Sequence, residues 1–259
     1  MFTRAILAAT VATLAAWSGP AAADDASGHV VSVRQQAKAN GPGGNRTIST
    51  QGAVFAGDVI TTDGRGSAQL LFADQTKMVV GPNSEVTIDD FVLASSGTAS
   101  AVTINALRGS FRFITGVSAK NAYKIRTPVA TIGVRGTEFS GRIAPNGELT
   151  LAMWGGATIV CPDGGTCQVV AGTCTMVIVP PAGAGGGGGQ IERVNNVYRR
   201  TQLMEQRLPF AFRQGWLQSP FRVGSSGCNI QNYDPVIDPW DDDDGTASPP
   251  DTGGGPKID

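Results

Sequence analysis

The 259-residue sequence predicts an all-β domain of short strands, either a sandwich or a solenoid, followed by a glycine linker, one amphipathic helix and a disordered acidic tail. Within residues 28–180, runs of β-forming residues recur about every 8 to 12 positions, separated by Gly, Pro, Asn and Asp. Helical periodicity is not evident in that region and first emerges after a run of glycines. These observations place the strands first and the helix last.

Several of the runs alternate apolar and polar residues. Phe111 and Phe113, for example, lie on either side of Arg112. Such alternation predicts a sheet with one buried and one solvated face. We therefore expect Arg112, Lys124 and Arg126 to lie on a solvated face rather than to form a basic binding stripe. The pattern fits both a sandwich and a solenoid, because each buries one face of short strands.

The first 23 residues predict a cleavable secretory signal. One charged residue, Arg4, precedes an apolar run at residues 5–17, and Ala21, Ala22 and Ala23 follow a helix-breaking Gly and Pro. The apolar run is shorter than the roughly 20 residues that cross a bilayer. We therefore expect an exported protein, periplasmic or extracellular, without a membrane span once the signal is removed.

The charge balance does not favour a nucleic-acid partner. Removal of residues 1–23 leaves 19 basic and 21 acidic residues, a net charge of −2. Domains that bind nucleic acids instead carry an excess of Lys and Arg, which neutralise the phosphates. The remaining length suits one large β domain, or one domain and a tail. We assign the β domain to residues 24–181.

Four cysteines, Cys161, Cys167, Cys174 and Cys228, predict two disulfides in a chain bound for an oxidising compartment. Four cysteines allow three connectivities. Cys161 and Cys167 flank a short turn that contains Pro, Asp and two Gly, which favours a 161–167 bond and a 174–228 bond. Zinc binding fits less well, because the intervals hold five and six residues and no His is nearby.

Residues 182–189 indicate a flexible linker, and residues 190–232 after it hold the helix and several aromatic residues. Apolar residues recur at helical spacing over residues 190–208, and Pro209 should end the helix. One account docks the apolar stripe on the β domain, pinned by the 174–228 disulfide. Another holds the stripe out for a partner protein, and a third places it at a membrane surface. The candidate contact residues are Ile191, Val194, Tyr198, Met204, Phe210, Phe212 and Trp216.

Residues 233–259 are acidic and poor in apolar residues, which predicts a disordered tail. Four consecutive aspartates occupy positions 241–244. They lack the every-second-residue spacing and the Gly turn of calcium-binding loops. We therefore expect no metal site in the tail.

The residue types give little support for catalysis. His29 is the only His and lies in a strand-like run, so a nucleophilic triad has no base. The aspartates that could form a pair of catalytic carboxylates occupy turn-like contexts, where Asp has an ordinary structural role; they are Asp58, Asp63, Asp74, Asp89 and Asp90. No Gly-rich phosphate loop precedes a helix. We predict no catalytic residue, no metal and no cofactor.

Residues 127–139, TPVATIGVRGTEF, change their apolar positions from even to odd numbers. A strand that changes faces in this way needs one extra residue, and Gly136 is the place where a bulge costs least. The rival hypothesis makes Arg135 and Glu138 a site that binds an anion or exchanges protons. We favour the structural interpretation, because no His or Cys lies nearby.

With these residues in view, residues 28–179 resemble the FecR domain of bacterial envelope proteins. The matching stretches are residues 57–62, residues 68–72 with Asp74, residues 107–109 before Phe111, and the stretch just described. The motif residues, which the resemblance implies are structural, are Thr127, Pro128, Val134, Arg135, Gly136, Thr137, Glu138 and Phe139. The family implies an all-β periplasmic domain without catalytic residues that serves protein interaction or signal relay.

Two features depart from the family. The iron-citrate regulators that name it cross the inner membrane and carry a cytoplasmic segment that regulates a sigma factor, and neither part is expected here. The chain resembles a stand-alone exported form instead. In addition, Gln75 follows Asp74 where the family often has Asp-Gly in a hairpin turn, and Gln resists the positive φ that Gly accepts.

The function we expect is that of a non-enzymatic protein of the cell envelope, a protein-interaction or signal-sensing module whose partner is another envelope protein. The alternative is a secreted module that binds glycan or peptidoglycan through exposed aromatic residues. Trp154, next to Gly155 and Gly156, is the residue that would test it. The core is the more ordinary place for such a Trp.

Overall fold

The structure is a computed structural model that describes residues 26–94, 96–181, 183, 189–223 and 228. The predicted signal at residues 1–23, most of the linker at residues 182–189 and the predicted tail at residues 233–259 lie outside the described residues.

Strands dominate the described part of the chain, and one α-helix follows them, which confirms the all-β prediction. In chain order the strands are β1 (Gly28–Arg34), β2 (Ala37–Gly41), β3 (Gly44–Thr47), β4 (Ala53–Val54), β5 (Val59–Thr62), β6 (Ser67–Phe72), β7 (Lys77–Val80), β8 (Glu85–Leu93), β9 (Ala99–Ile114), β10 (Tyr123–Arg126), β11 (Ala130–Val134), β12 (Glu138–Ile143), β13 (Leu149–Gly155), β14 (Ala157–Pro162), β15 (Gln168–Ala171), β16 (Met176–Val179) and β17 (Glu192–Arg193). Helix α1 spans Val197–Arg207.

The strands form two sheets that share the long strand β9. The front sheet has the order β4-β1-β6-β7-β9-β12-β13-β16-β17. The back sheet has the order β3-β2-β5-β8-β9-β10-β11-β14-β15. Neighbouring strands are antiparallel except for β9 and β10, which are parallel.

Strand β9 passes from one sheet to the other at a glycine. Its first part, up to Arg108, pairs with β8 in the back sheet, and its last part, from Gly109, pairs with β12 in the front sheet. Gly109 has φ +84°, and a Cβ there would lie 2.4 Å from the Cα of Ser84. Only glycine fits this corner, because a side chain would meet both a strained backbone and a neighbouring strand.

The two sheets face each other across one apolar core. The front sheet contributes residues such as Leu70 and Phe139, and the back sheet contributes residues such as Ile104 and Ile132, all of them fully buried. The ring of Phe113 lies 5.7 Å from that of Phe139, centroid to centroid. The architecture is therefore a sandwich, in which the strands of each sheet follow the chain order closely, as they would in a solenoid.

Residues 190–223 cover the outer face of the front sheet, and we call them the C-terminal cover. One apolar cluster joins the cover to β13 and β16, and another joins it to β7. The prediction of one solvated face per sheet is therefore wrong for the front sheet, where β16 is buried along its whole length. It holds for the outer face of the back sheet, where Lys124 and Arg126 are exposed.

The helix begins later than its sequence pattern suggests. Helical spacing of apolar residues starts at residue 190, but Glu192 and Arg193 instead pair with β16 as strand β17. The side chain of Asn196 then caps the helix by accepting a hydrogen bond from the backbone N–H of Arg199, at 2.9 Å. The helix ends at Arg207, before Pro209. No helix of the described residues is long and apolar enough to cross a membrane.

The structure contains the two disulfides that the sequence favours. Cys161 is bonded to Cys167, where the bond closes the hairpin of β14 and β15. Cys174 is bonded to Cys228, which lies 54 positions later and is packed in the cluster between the cover and the front sheet. The second bond fixes the chain beyond the cover to the domain.

Candidate functional site

The candidate contact residues separate into a buried group and one exposed residue. Val194, Met204 and Phe210 are buried between the cover and the front sheet, and Phe212 and Trp216 are partly buried there. Ile191 packs against the main core instead. Tyr198, with 73% of its surface accessible, is the exposed member. The docked account of the cover is the one that the structure adopts.

Arg112 is the polar centre of this contact. The sequence pattern places it on a solvated face, but its side chain is completely buried, and that prediction is wrong. Its Nη2 donates to the carbonyl oxygen of Phe210, and its Nη1 donates to the carbonyl of Phe221 at 3.0 Å and to Oε1 of Gln214 at 2.8 Å. All three acceptors belong to the cover. The side chain of Arg112, on β9, is therefore bonded to the cover at residues 210, 214 and 221.

The front sheet supplies the other contacts of the Arg112 guanidinium. Its Nε donates to Oγ of Ser140 at 3.2 Å, and the same oxygen accepts a hydrogen bond from Nε1 of Trp154 at 2.9 Å. The guanidinium carbon lies 5.8 Å from the centroid of the Trp154 ring. Burial lowers the pKa of Arg112 to about 9, against the opposing effect of the Glu138 carboxylate. The side chain is therefore still a cation at neutral pH.

Further contacts hold the cover along its length. The backbone N–H of Gln218 donates to Oε1 of Gln69 at 2.8 Å, and Arg34 lies over the ring of Trp216. At the other end, Arg207 forms an ion pair with Glu148. Together with the Arg112 contacts, these bonds make the cover part of the folded domain.

The ring of Phe210 in the cover also packs directly against the backbone of Gly81. A Cβ on Gly81 would lie 2.2 Å from the ring of Phe210 and 2.3 Å from Oγ of Ser110. The Phe210 ring therefore occupies the space that a side chain at Gly81 would fill. This is a second position, after Gly109, at which only glycine fits.

The first residues of helix α1 expose an apolar and an aromatic side chain close to strand β17. Val197 and Tyr198 expose 51% and 73% of their surfaces. Arg199 forms an ion pair with Glu192 at 2.7 Å, and Nε2 of Gln202 donates to the Tyr198 hydroxyl at 3.1 Å. Val197 and Tyr198 are therefore consecutive exposed residues at the start of the helix, and polar side chains lie near them.

The 127–139 motif is where the chain crosses between the sheets. Val134 ends β11 of the back sheet and Phe139 lies in β12 of the front sheet, both with side chains in the core. Gly136 has φ +67° in the crossing. The nearest register shift, between Glu138 and Phe139, has its extra residue in β13, because these two residues lie opposite Gly155 and Met153. Gly136 belongs to the connection between the sheets, so the expected bulge at Gly136 is not present. The change from even to odd positions follows from the change of sheet.

Thr137 ties the crossing to its neighbours. Its hydroxyl donates to the carbonyl of Gly155 at 2.6 Å, and its backbone N–H donates to Oγ1 of Thr115 at 3.0 Å. At the start of the motif, Oγ1 of Thr127 accepts from the N–H of Ala130 at 3.1 Å and shapes the β10–β11 turn, in which Pro128 is exposed. Thr127 and Thr137 thus hydrogen-bond to the turn and to the strands beside the crossing.

The two charged residues of the motif are not brought together. Arg135 is exposed and Glu138 is partly buried, and no ion pair joins them in the described structure. Glu138 acts electrostatically on Arg112 instead. Within the described residues, the side chain of Arg135 has no hydrogen bond or ion pair.

Four of the five aspartates considered as catalytic candidates have structural partners. Asp58 is buried and forms an ion pair with Arg46. Asp74 accepts hydrogen bonds from the hydroxyls of Thr76, Ser118 and Tyr123, at 2.7 to 2.9 Å. They hold the turn in which Gln75 takes φ +67°, the conformation that Gln resists. Asp89 pairs with Arg126, and the N–H of Arg65 donates to Asp63. Within the described residues, no three His, Cys, Asp or Glu side chains form a group that could hold a metal.

Trp154, the residue that would test glycan binding, is 5% exposed and lies beneath the cover. Its indole N–H is already bonded to Ser140. Glycan-binding aromatics present an open ring face to the sugar, and the Trp154 ring does not have one in this arrangement.

Comparison with known proteins confirms the family resemblance. Residues 58–158 match the family model described as FecR protein. Two crystal structures of a candidate anti-sigma factor from Parabacteroides distasonis ATCC 8503 are similar to the chain. The first, at 1.65 Å resolution, is 15% identical with a TM-score of 0.42, over 53% of this chain and 59% of that one. The second, at 2.50 Å, is 14% identical with a TM-score of 0.42, over 57% of this chain and 64% of that one. The chain thus spans about three fifths of those structures. No curated protein matches it.

Proposed function

We propose that this chain, whose residues 58–158 form a FecR domain, is a non-enzymatic module of the cell envelope that senses or relays a signal by binding another envelope protein. FecR proteins are regulatory and interact with other proteins. The predicted signal peptide and the two disulfides support export to an oxidising compartment. The roles of Asp58, Asp74 and Asp89 as turn and ion-pair residues support a module without catalysis.

The observation that carries the proposal is the exposed pair Val197 and Tyr198 at the start of helix α1. The aromatic residues behind it are used by the domain itself, around Arg112, and are not free for a partner in this arrangement. Tyr is enriched where proteins contact each other, because it combines a large apolar ring with a polar end. We therefore place the partner contact on the outer side of α1.

Cross-linking and affinity capture from the periplasm tests the proposal. The mature chain is compared with a double variant, Val197→Ser and Tyr198→Ser, and with a matched control, Gln206→Ala, on an exposed position of the same helix. We expect one envelope protein to be captured by the mature chain and the control but not by the double variant. Equal capture by all three would overturn the placement on α1, and capture of no protein by any of them would overturn the interaction itself.

Truncation after residue 181 is not a suitable version of this experiment. It would remove β17, α1 and Cys228 together and expose Trp154, Met176 and Ile178 on the front sheet. It would also leave Arg112 without its acceptors in the cover. Loss of binding would then report unfolding, whereas the surface substitutions on α1 leave the packing intact.

A further inference from the structure

Three exposed cations lie on the back sheet and the sheet crossing between Gly133 and Gly136. They are Lys120, Lys124 and Arg135, and we call them the cation cluster. The Cε atom of Lys120 lies 3.4 Å from the position that a Cβ on Gly136 would take, so its side chain lies over the crossing. Lys124 is paired with Gly133 in the back sheet, two positions before Arg135. Such diagonal neighbours have side chains roughly 7–8 Å apart.

No carboxylate of the described residues forms an ion pair with these three cations. Two other exposed cations of the back sheet are paired, Arg126 with Asp89 and Arg108 with Glu85. The two strands next to β10, β9 and β11, contain no acid, and the nearest acid across the sheet from Lys124 is Asp90 on β8. It lies opposite Thr103, which in turn lies opposite Lys124, so it is two strands away, about 10 Å. Glu138, the described acid nearest to Arg135 along the chain, also forms no ion pair with any of the three cations, so the cluster has an excess of positive charge.

The distribution of charge along the chain supplies a segment of opposite sign. Residues 26–232 hold 18 Lys and Arg against 11 Asp and Glu, a net charge of +7. Residues 233–259 hold 8 Asp against one Lys, a net charge of −7. Half of those acids are the four aspartates at 241–244. An asymmetry of this kind favours contact between the two parts of the chain.

The 174–228 disulfide holds Cys228, the last described residue before the acidic segment, close to the end of β13 that adjoins the crossing. The backbone N–H of Cys174 donates to the carbonyl of Met153 at 2.8 Å. Three residues later, Gly156 packs so closely on the crossing that a Cβ there would lie 2.0 Å from the carbonyl oxygen of Gly136. Cys228 is thus within roughly 25 Å of Gly136, and the 13 residues from Cys228 to residue 241 reach roughly 40 Å when extended.

We propose that the four aspartates at 241–244 bind in cis to the cation cluster of Lys120, Lys124 and Arg135. The contact is electrostatic and solvent-exposed, so it weakens as salt is raised. The contact gives the Arg135 side chain a role in binding the aspartates, whereas the packing of the motif gives this side chain no role. The cation cluster is then a surface that binds acidic segments, and the acidic segment that binds it is the chain's own residues 241–244. This contact does not depend on any partner of helix α1.

Zero-length cross-linking of the full mature chain with a carbodiimide tests the proposal, because this reagent joins carboxylates to amines that are already in contact. We expect amide links from the aspartates at 241–244 to Lys120 or Lys124, mapped by mass spectrometry. Lys38 is the internal control, since it is exposed on β2, four strands from β10 or about 19 Å away. The links should weaken severalfold at roughly 0.5 M salt.

Two variants and an isotope mixture complete the experiment. Arg135→Gln should lower the yield of these links about threefold, as loss of one exposed ion pair would. Arg65→Gln, which removes another exposed cation, should leave it unchanged. Links that form equally with Lys38, or that are unaffected by Arg135→Gln, would overturn the proposal. In the isotope mixture a cis contact links only peptides that carry the same label. Mixed-label links at the share expected for random pairing would overturn the cis contact and indicate a second copy of the chain.

Discussion

The guanidinium of Arg112 donates a hydrogen bond to the backbone carbonyl of Phe221, 109 positions later in the chain. The bond joins the middle of β9 to the end of the C-terminal cover. It is buried and has a charged donor, which makes it stronger than a bond between neutral groups. The cover is therefore held by polar contacts at its centre as well as by its apolar residues.

Replacement of Arg112 by Met should loosen the cover. The change keeps much of the apolar volume but leaves the carbonyls of Phe210 and Phe221 without their donor. Each unsatisfied buried group costs about 1–3 kcal/mol, so the free energy of unfolding should fall by about 3 kcal/mol. Urea denaturation measures it. Arg126→Met, on the exposed back face, is the matched control and should change stability by less than about 1 kcal/mol. Equal effects of the two would contradict the clamp.

Replacement of Gly136 by Val should lower the melting temperature. Its φ of +67° lies in the left-handed region, which costs a side chain about 1–2 kcal/mol and a β-branched one more. For a domain of this size the melting temperature should fall by about 5 °C. Gly133→Val is the control, because its Cβ would lie 3.9 Å from Ile159 and its φ is ordinary. An unchanged melting temperature for Gly136→Val would contradict the strained crossing.

Replacement of Tyr123 by Phe should change how stability depends on alkaline pH. Burial raises the pKa of Tyr123 above 10, and the Asp74 carboxylate adds to the shift. A raised pKa in the folded state stabilises the protein fully below pH 10, and this stability is lost as pH rises through the folded value. Urea denaturation between roughly pH 8 and 11 should therefore show a smaller alkaline loss for Tyr123→Phe than for the wild type. Parallel curves would show that Tyr123 does not contribute to the loss.

Removal of the two disulfides should have unequal effects. The 174–228 bond closes a loop of 54 positions and the 161–167 bond a loop of 6. Loop-closure entropy predicts losses of about 4 and about 2 kcal/mol for the paired Cys→Ser variants. Cys228 is also packed beneath the cover, so the first variant should also speed proteolysis within residues 208–223. Equal losses would indicate that the longer bond does not constrain the cover.

The sequence predicts most of the sandwich because local patterns determine it. Alternation at Phe111 and Phe113 correctly places both side chains in the core. The turn between Cys161 and Cys167 correctly indicates their disulfide. Short-range spacing and turn residues are sufficient for such features.

The burial of Arg112 could not be predicted, because it depends on residues 98 to 109 positions away. On a strand of alternating residues, an Arg between two apolar residues is expected to be exposed to solvent. Arg112 is buried because the cover docks over it. The late start of helix α1 has a similar cause, since Glu192 and Arg193 pair with β16 instead of continuing the apolar pattern as helix. One signal was available: the 174–228 disulfide already implied that the cover returns to the domain.

Backbone hydrogen exchange of the cover tests most directly that residues 190–223 complete the fold around Arg112. The N–H groups of Gln218 and Val223 donate to the side chains of Gln69 and Gln214, at 2.8 and 2.9 Å. In the full chain these amides should exchange at least about 100-fold more slowly than in an unfolded peptide, and Arg112→Met should remove most of that protection. Exchange of both amides at the unfolded rate in the wild type would contradict the account.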